Sequence, residues 1–245
     1  MRGLAALALT VWPGASDAAC RLALILALDV SGSVDALEYN LQTEGLAKAL
    51  GDPDVRAALF AMPDAPVALS IFEWSSSSYQ RVVQDWVLLE RPADVAAVEE
   101  RLRGWTRQRA PEATGIGAAL LYAEARLAEA PDCWSHTLDL SADGKNNDWP
   151  VPERLRAEGG LGETTVNVLM VAPNYLVSYD LSGVGIAQMA TYFEEKVIYG
   201  PGAFVEIARG YGDYADAMRR KLIRELSVMP LGQAPSHAPV RMAER

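Results

Sequence analysis

Residues 29–33 read Asp-Val-Ser-Gly-Ser and close the apolar run RLALILALD of residues 21–29. Residues two apart in an extended chain project to the same side, so Asp29, Ser31 and Ser33 converge while Val30 turns to the core. Gly32 lets the backbone bend closely between the serines. One carboxylate and two hydroxyls are hard oxygen donors, suited to a Mg²⁺-type ion rather than to zinc or copper. These groups are too few to hold such an ion, so other loops must complete the shell. Thr114 and Asp143 occupy the corresponding strand-to-helix positions further along the chain. A plainer reading exists, in which Asp29 is an anion at a helix N-terminus and the serines are turn and cap residues.

The elements that position these residues alternate. Residues 21–29 are apolar almost throughout, the mark of a strand buried on both faces. Residues 35–50 carry Leu37, Leu41, Leu46 and Leu50 at roughly helical spacing, behind Asp35 as N-cap. Residues 52–60 read as a short helix. Residues 66–74 and 79–89 read as strands joined by the four-serine stretch 75–78, a hairpin that places one antiparallel strand at the sheet edge. Helices over 92–105 and 114–130 follow, the first with Pro92 in its first turn. Next come a strand at 135–143, a short helix at 152–159, a buried strand at 164–172 and a helix at 183–198. A short strand at 203–208 precedes an amphipathic helix at 214–228. This order predicts an α/β fold: a three-layer, doubly wound, mostly parallel sheet with one antiparallel edge strand. Ligands of such folds bind at the carboxyl ends of the strands near the switch of strand order, and Asp29 and Asp143 both end strands.

The formal net charge is −10, from 22 basic and 32 acidic residues, which argues against nucleic acid or an anionic membrane surface as partner. Arg2, the apolar residues 3–12 and the small residues before Cys20 resemble an export signal, with cleavage expected after Ala18 or Ala19. A buried N-terminal helix is the competing reading. The expected organisation is a signal peptide over 1–19, one domain over 20–229 and a disordered Pro- and Ala-rich tail over 230–245, in a periplasmic or secreted protein. No stretch is long and apolar enough to be a transmembrane helix. Cys20 and Cys133 each precede a strand. If those strands are parallel neighbours, a disulfide is geometrically reasonable; a reduced pair is the alternative.

Three segments together resemble the von Willebrand factor type A family. DVSGS (29–33) is similar to the Asp-x-Ser-x-Ser signature that opens that family's metal-ion-dependent adhesion site. EATGIGAAL resembles its threonine loop, and LSADGKNND its third loop, a strand ending in Asp-Gly. FEWS, DGKNN and GPGAFV further resemble a group of exported bacterial proteins that carry this domain, DUF1194. The resemblance implies a Rossmann-like fold and a Mg²⁺ site, or one for Mn²⁺ or Ca²⁺. Within it Ser31 and Ser33 would ligate directly and Thr114 directly or through water. Asp29 and Asp143 would act mostly through bound water. A coordination position would remain for an acidic side chain of another protein. The chain departs from the pattern at Gly115, which is expected to loosen the threonine loop.

Catalytic motifs are scarce. The two histidines, His136 and His237, fall in a strand and in the tail, and neither a G-x-S-x-G elbow nor a phosphate-binding glycine loop occurs. Carboxylate pairs such as Glu99-Glu100 and Glu194-Glu195 are expected to face solvent. Trp74, the serine stretch and residues 146–149 are either rim of the site or ordinary hairpin and turn. The expected function is therefore metal-dependent protein binding and not catalysis. A structural domain with no essential metal, or a metal-dependent hydrolase, stands as the alternative.

Overall fold

The computed structural model describes residues 20–173 and 183–227; the expected signal segment 1–19 and tail 230–245 lie outside them. Six strands form one sheet: β1 (Leu22–Asp29), β2 (Val67–Trp74), β3 (Gln80–Leu89), β4 (His136–Ala142), β5 (Thr165–Val171) and β6 (Val205–Ala208), in the order β3-β2-β1-β4-β5-β6. Only the β2–β3 pairing is antiparallel. The helices are α1 (Ala36–Gly51), α2 (Pro53–Leu59), α3 (Pro92–Gly104), α4 (Ile116–Leu127), α5 (Pro152–Ala157), α6 (Val184–Lys196) and α7 (Tyr214–Ser227). Strand order reverses between β1 and β4, so the carboxyl ends of these two central strands flank the crevice where α/β folds bind ligands.

Every residue of β1 is buried because both its faces are covered. Leu22, Leu24, Leu26 and Leu28 point into one core, walled by α1, α2, α3 and α7. Ala23, Ile25 and Ala27 point into the other, walled by α4, α5 and α6. The two cores and the sheet between them make the three layers. Cys20 and Cys133 lie side by side at the amino ends of β1 and β4 and are joined by a disulfide.

Packing corrects two expectations, for Glu99 and Trp74, and chooses the face that α1 buries. Leu37 and Leu41 are exposed (66% and 39%); α1 instead buries Tyr39, Gln42 and Thr43 near its start, then Leu46 and Leu50. Its amino end packs against polar partners: Tyr39 donates its hydroxyl hydrogen to Glu73, and Gln42 Nε2 donates to the Asp29 carbonyl at 3.0 Å. Glu99 is buried rather than solvent-facing, paired with Arg56 at 2.6 Å and Arg103 at 3.3 Å. Trp74 is a fully buried core residue and not part of any rim.

Candidate metal site

Asp29 is the last residue of β1 and Asp143 follows the last residue of β4, which brings the two carboxylates to the same end of neighbouring parallel strands. The chain after Asp29 turns sharply. The Ser31 amide donates to Asp29 Oδ1 at 2.8 Å, and the Val34 amide to the Ser31 carbonyl at 3.1 Å. Asp35 then caps α1 in a reciprocal box with Glu38. Gly32 sits against the backbone of Glu112, to whose carbonyl it donates at 3.0 Å; a Cβ there would lie 2.9 Å from Glu112 Cβ.

These turns gather five oxygen-bearing side chains. Ser31 Oγ and Ser33 Oγ are 3.3 Å apart, the Thr114 hydroxyl reaches Ser31 Oγ at 3.4 Å, and Ser33 donates to Asp143 Oδ1 at 2.6 Å. The five residues expected from sequence are thus brought together, Ser31, Thr114 and Asp143 as buried residues and Ser33 at the surface. Asp29 is fully buried, and its Oδ2 finds no hydrogen-bond partner. Burial, and then the neighbouring Asp143 carboxylate, pushes the Asp29 carboxyl up to about 7. Burial also raises Asp143, against the opposing pull of its hydrogen bonds from Ser33 and Tyr211.

The donor set fits a hard cation. It is all oxygen, it holds two carboxylates, and a buried carboxylate oxygen is left without a donor. Among the described residues no cluster of three or more His, Cys, Asp or Glu is placed to hold a metal, so any site here depends on its hydroxyls. A cavity of about 530 Å³ opens above the cluster, lined by Ser33, Glu38, Thr114, Asp143, Lys145 and Asn147 among others.

The segment 146–149 braces the site from behind. Asn147 Oδ1 accepts the Thr114 amide at 2.7 Å while the Asn147 amide donates to the Thr114 carbonyl at 2.9 Å. Asn146 Oδ1 accepts from the Gly117 amide at 3.3 Å, and Asp148 Oδ2 from the Ser77 amide at 2.8 Å. Only Asn147 of the four also lines the cavity; Trp149 is an exposed surface residue. Gly115 tightens the threonine loop rather than loosening it. Its amide donates to the Ser75 carbonyl at 2.6 Å, and a Cβ would meet Ser76 C and Ser77 N at 2.9 Å, so only glycine allows the two loops this approach.

Tyr211 was invisible to sequence reasoning. It lies in a 3₁₀ turn, Tyr211–Asp213, just before α7, and its hydroxyl donates to Asp143 Oδ2 at 3.2 Å. Both oxygens of Asp143 are therefore held by other parts of the chain. No periodicity marks a tyrosine in so short a turn, and no local signal could have assigned it.

Comparison with solved structures shows the fold. Over 86% of this chain, proximal thread matrix protein 1 (PTMP1) from the mussel byssus superposes with a TM-score of 0.58 at 13% identity, covering 49% of that chain. A second structure of that protein, with a zinc-occupied MIDAS motif, gives 0.57 at 14% identity, covering 86% of this chain and 48% of the other. The pilus adhesin SpaC from Lactobacillus rhamnosus GG gives 0.54 at 13% identity, covering 86% of this chain and 30% of the adhesin. The chain thus spans about half of one protein and under a third of the other. No curated protein gives a significant match. A family model described as "Protein of unknown function (DUF1194)" matches residues 19–230. With nearly the whole length matched and a sheet in this strand order, the chain belongs to the DUF1194 family and has a von Willebrand factor type A-like fold.

Proposed function

We propose that the protein is a metal-ion-dependent binding module for another protein, in adhesion or assembly. Ser31, Ser33 and Thr114 would hold a Mg²⁺-type ion (Mg²⁺, Mn²⁺ or Ca²⁺) through their hydroxyls, and Asp29 and Asp143 through bound water. When bound, such an ion supplies a Lewis-acidic centre able to accept a carboxylate oxygen. The chain's own part is to keep three hydroxyls and two carboxylates fixed, with the cavity above them open to a partner's acidic side chain. One observation carries the reading: Ser31, Ser33, Thr114 and Asp143 are linked hydroxyl to hydroxyl and hydroxyl to carboxylate, and Asp29, bound to the Ser31 amide, keeps a buried Oδ2 with no hydrogen-bond partner. The mussel protein of this fold with a zinc-occupied MIDAS motif supports the binding of a divalent ion, and the pilus adhesin supports a role in adhesion.

A non-catalytic role suits the inventory. Among the described residues the one histidine is His136, at the amino end of β4 and therefore at the far end of that strand from Asp143. Export to the periplasm or beyond is supported by the signal-like residues 1–19 and by the disulfide, a feature of oxidising compartments. No described helix is long and apolar enough to cross a membrane.

A second reading has an observation of its own. The Ser33–Asp143 and Thr114–Ser31 hydrogen bonds tie the loops to one another within the chain, as they would in a purely structural domain. Calorimetric titration separates the two. Mg²⁺ is expected to bind the wild type and to lose at least about tenfold in affinity in Ser31→Ala, the size of effect typical for losing a group that orders a metal site. Equal heats for both proteins would leave the structural reading.

A further inference from the structure

Lys145 lies two residues beyond Asp143 and lines the cavity over the candidate metal site, whose other charged wall residues are Glu38 and Asp143. It is exposed, and among the described residues it makes no ion pair although the chain carries a net charge of −10. Its ammonium instead rests 5.5 Å from the centre of the Tyr192 ring, and the Tyr192 hydroxyl accepts the amide of Asn146 at 3.0 Å. The lysine is thus oriented by an aromatic face while its charge stays uncompensated.

Lys145 also lines a second depression of about 540 Å³ along α6, with Val184, Ala187, Gln188, Thr191 and Tyr192 among its walls. Lys145 is thus common to two neighbouring hollows, one over the oxygen cluster and one along α6. Lys196, which also lines the second hollow, is paired with Glu153 at 3.7 Å, which leaves Lys145 as the unpaired cation among the residues lining the two hollows. An ammonium that lines the same cavity as two carboxylates and makes no ion pair is placed to meet a third.

We propose that the partner of this site is a diacidic segment: one carboxylate completes the cation, and a second, close by in the same segment, pairs with Lys145 as the chain passes onto α6. This deepens the metal-dependent reading and rests on it. The second contact sets specificity. A partner bearing a lone acidic residue forgoes the Lys145 pair and leaves that charge uncompensated.

The test uses the full chain saturated with Mg²⁺ and two probes, the capped peptides Asp-Gly-Asp and Asp-Gly-Asn. The diacidic peptide is expected to bind roughly two- to five-fold tighter, the range of an exposed ion pair. That advantage should disappear in Lys145→Met and shrink at high salt. Mg²⁺ alone should bind Lys145→Met at least as tightly as wild type, because a nearby positive charge has been removed. Equal affinity of the two peptides for wild type, no measurable binding of either, or an advantage that survives in Lys145→Met would each overturn the proposal. Failure of the underlying reading shows separately, as absence of Mg²⁺ binding in the peptide-free titration.

Discussion

Asp29 commits one oxygen to the Ser31 amide and leaves the other, buried, without a donor. Holding a charge there is unfavourable, which is why its carboxyl is raised to about 7, well above the value of roughly 3.9 in an unfolded chain. The sign follows from which state binds the proton more tightly. Below about pH 4 both states are protonated and the contribution to stability is whole; it is lost as pH rises through about 7, where the folded state too must ionise. Chelated protein is therefore expected to melt at a lower temperature at pH 8 than at pH 5.5, with Mg²⁺ restoring the loss at pH 8. Mg²⁺ affinity should climb over the same window, since ligands bind metal deprotonated. Melting curves with and without chelator read both effects. A metal-free protein that gains stability steadily from pH 5.5 to 8 would contradict the assignment.

Among the elements, β4 explains how the site is tied to the last helix. Its alternation puts Leu138, Leu140 and Ala142 into one core and turns Thr137, Asp139 and Ser141 to the α7 side. Ser141 and the Tyr214 hydroxyl share a 2.8 Å hydrogen bond, and Lys221 Nζ lies 2.7 Å from Asp139 and 2.6 Å from Glu225. Asn167 on β5 donates to the same Glu225 oxygen at 2.7 Å. Lys221 and Asp139 are essentially inaccessible, and Asp139 makes no well-aligned hydrogen bond, so its attraction to Lys221 is mainly charge to charge. Removing the lysine strands two buried carboxylates. Lys221→Met is expected to cost about 3–5 kcal/mol, the usual penalty for breaking a buried ion pair from one side. The midpoint of urea unfolding measures it, and a loss under about 1 kcal/mol would mean that the triad carries little net charge.

For the whole molecule, the disulfide is the covalent cross-link among the described residues. It closes a loop across 113 residues and joins the starts of the two central strands, whose other ends carry Asp29 and Asp143. In the chain-entropy account a loop of that size stabilises by up to about 4.7 kcal/mol. Replacing both cysteines by serine is expected to lower the melting temperature by about 5–15 °C, from typical disulfide losses and the usual scaling for a domain of this size. Identical melting of the oxidised and reduced wild-type protein would show that the bond constrains nothing. The site should still bind Mg²⁺ in the double variant below its melting temperature, because the hydrogen bonds that shape it do not involve the cysteines.

Much of this was legible beforehand because strands, helices and the DVSGS turn are local patterns. Element ends fell within about three residues of their observed positions, and the antiparallel hairpin and the burial of β1 on both faces followed from composition and spacing. Gathering Thr114 and Asp143 onto Ser31 and Ser33 was readable only through resemblance to a known loop order; spacing alone left them scattered along the chain. What tertiary structure alone decided concerns partners distant in sequence. Leu37 and Leu41 are apolar at helical spacing yet exposed, since the face that meets the sheet is chosen by Tyr39 and Gln42 finding Glu73 and the Asp29 carbonyl. Glu99 is buried because Arg56, 43 residues away, reaches it. Gly115 is required because a hairpin presses on it, and Tyr211 joins the site because α7 packs beside β4. Propensity and period act over a few residues, whereas burial and hydrogen-bond partners are set by which surfaces meet after the chain has folded.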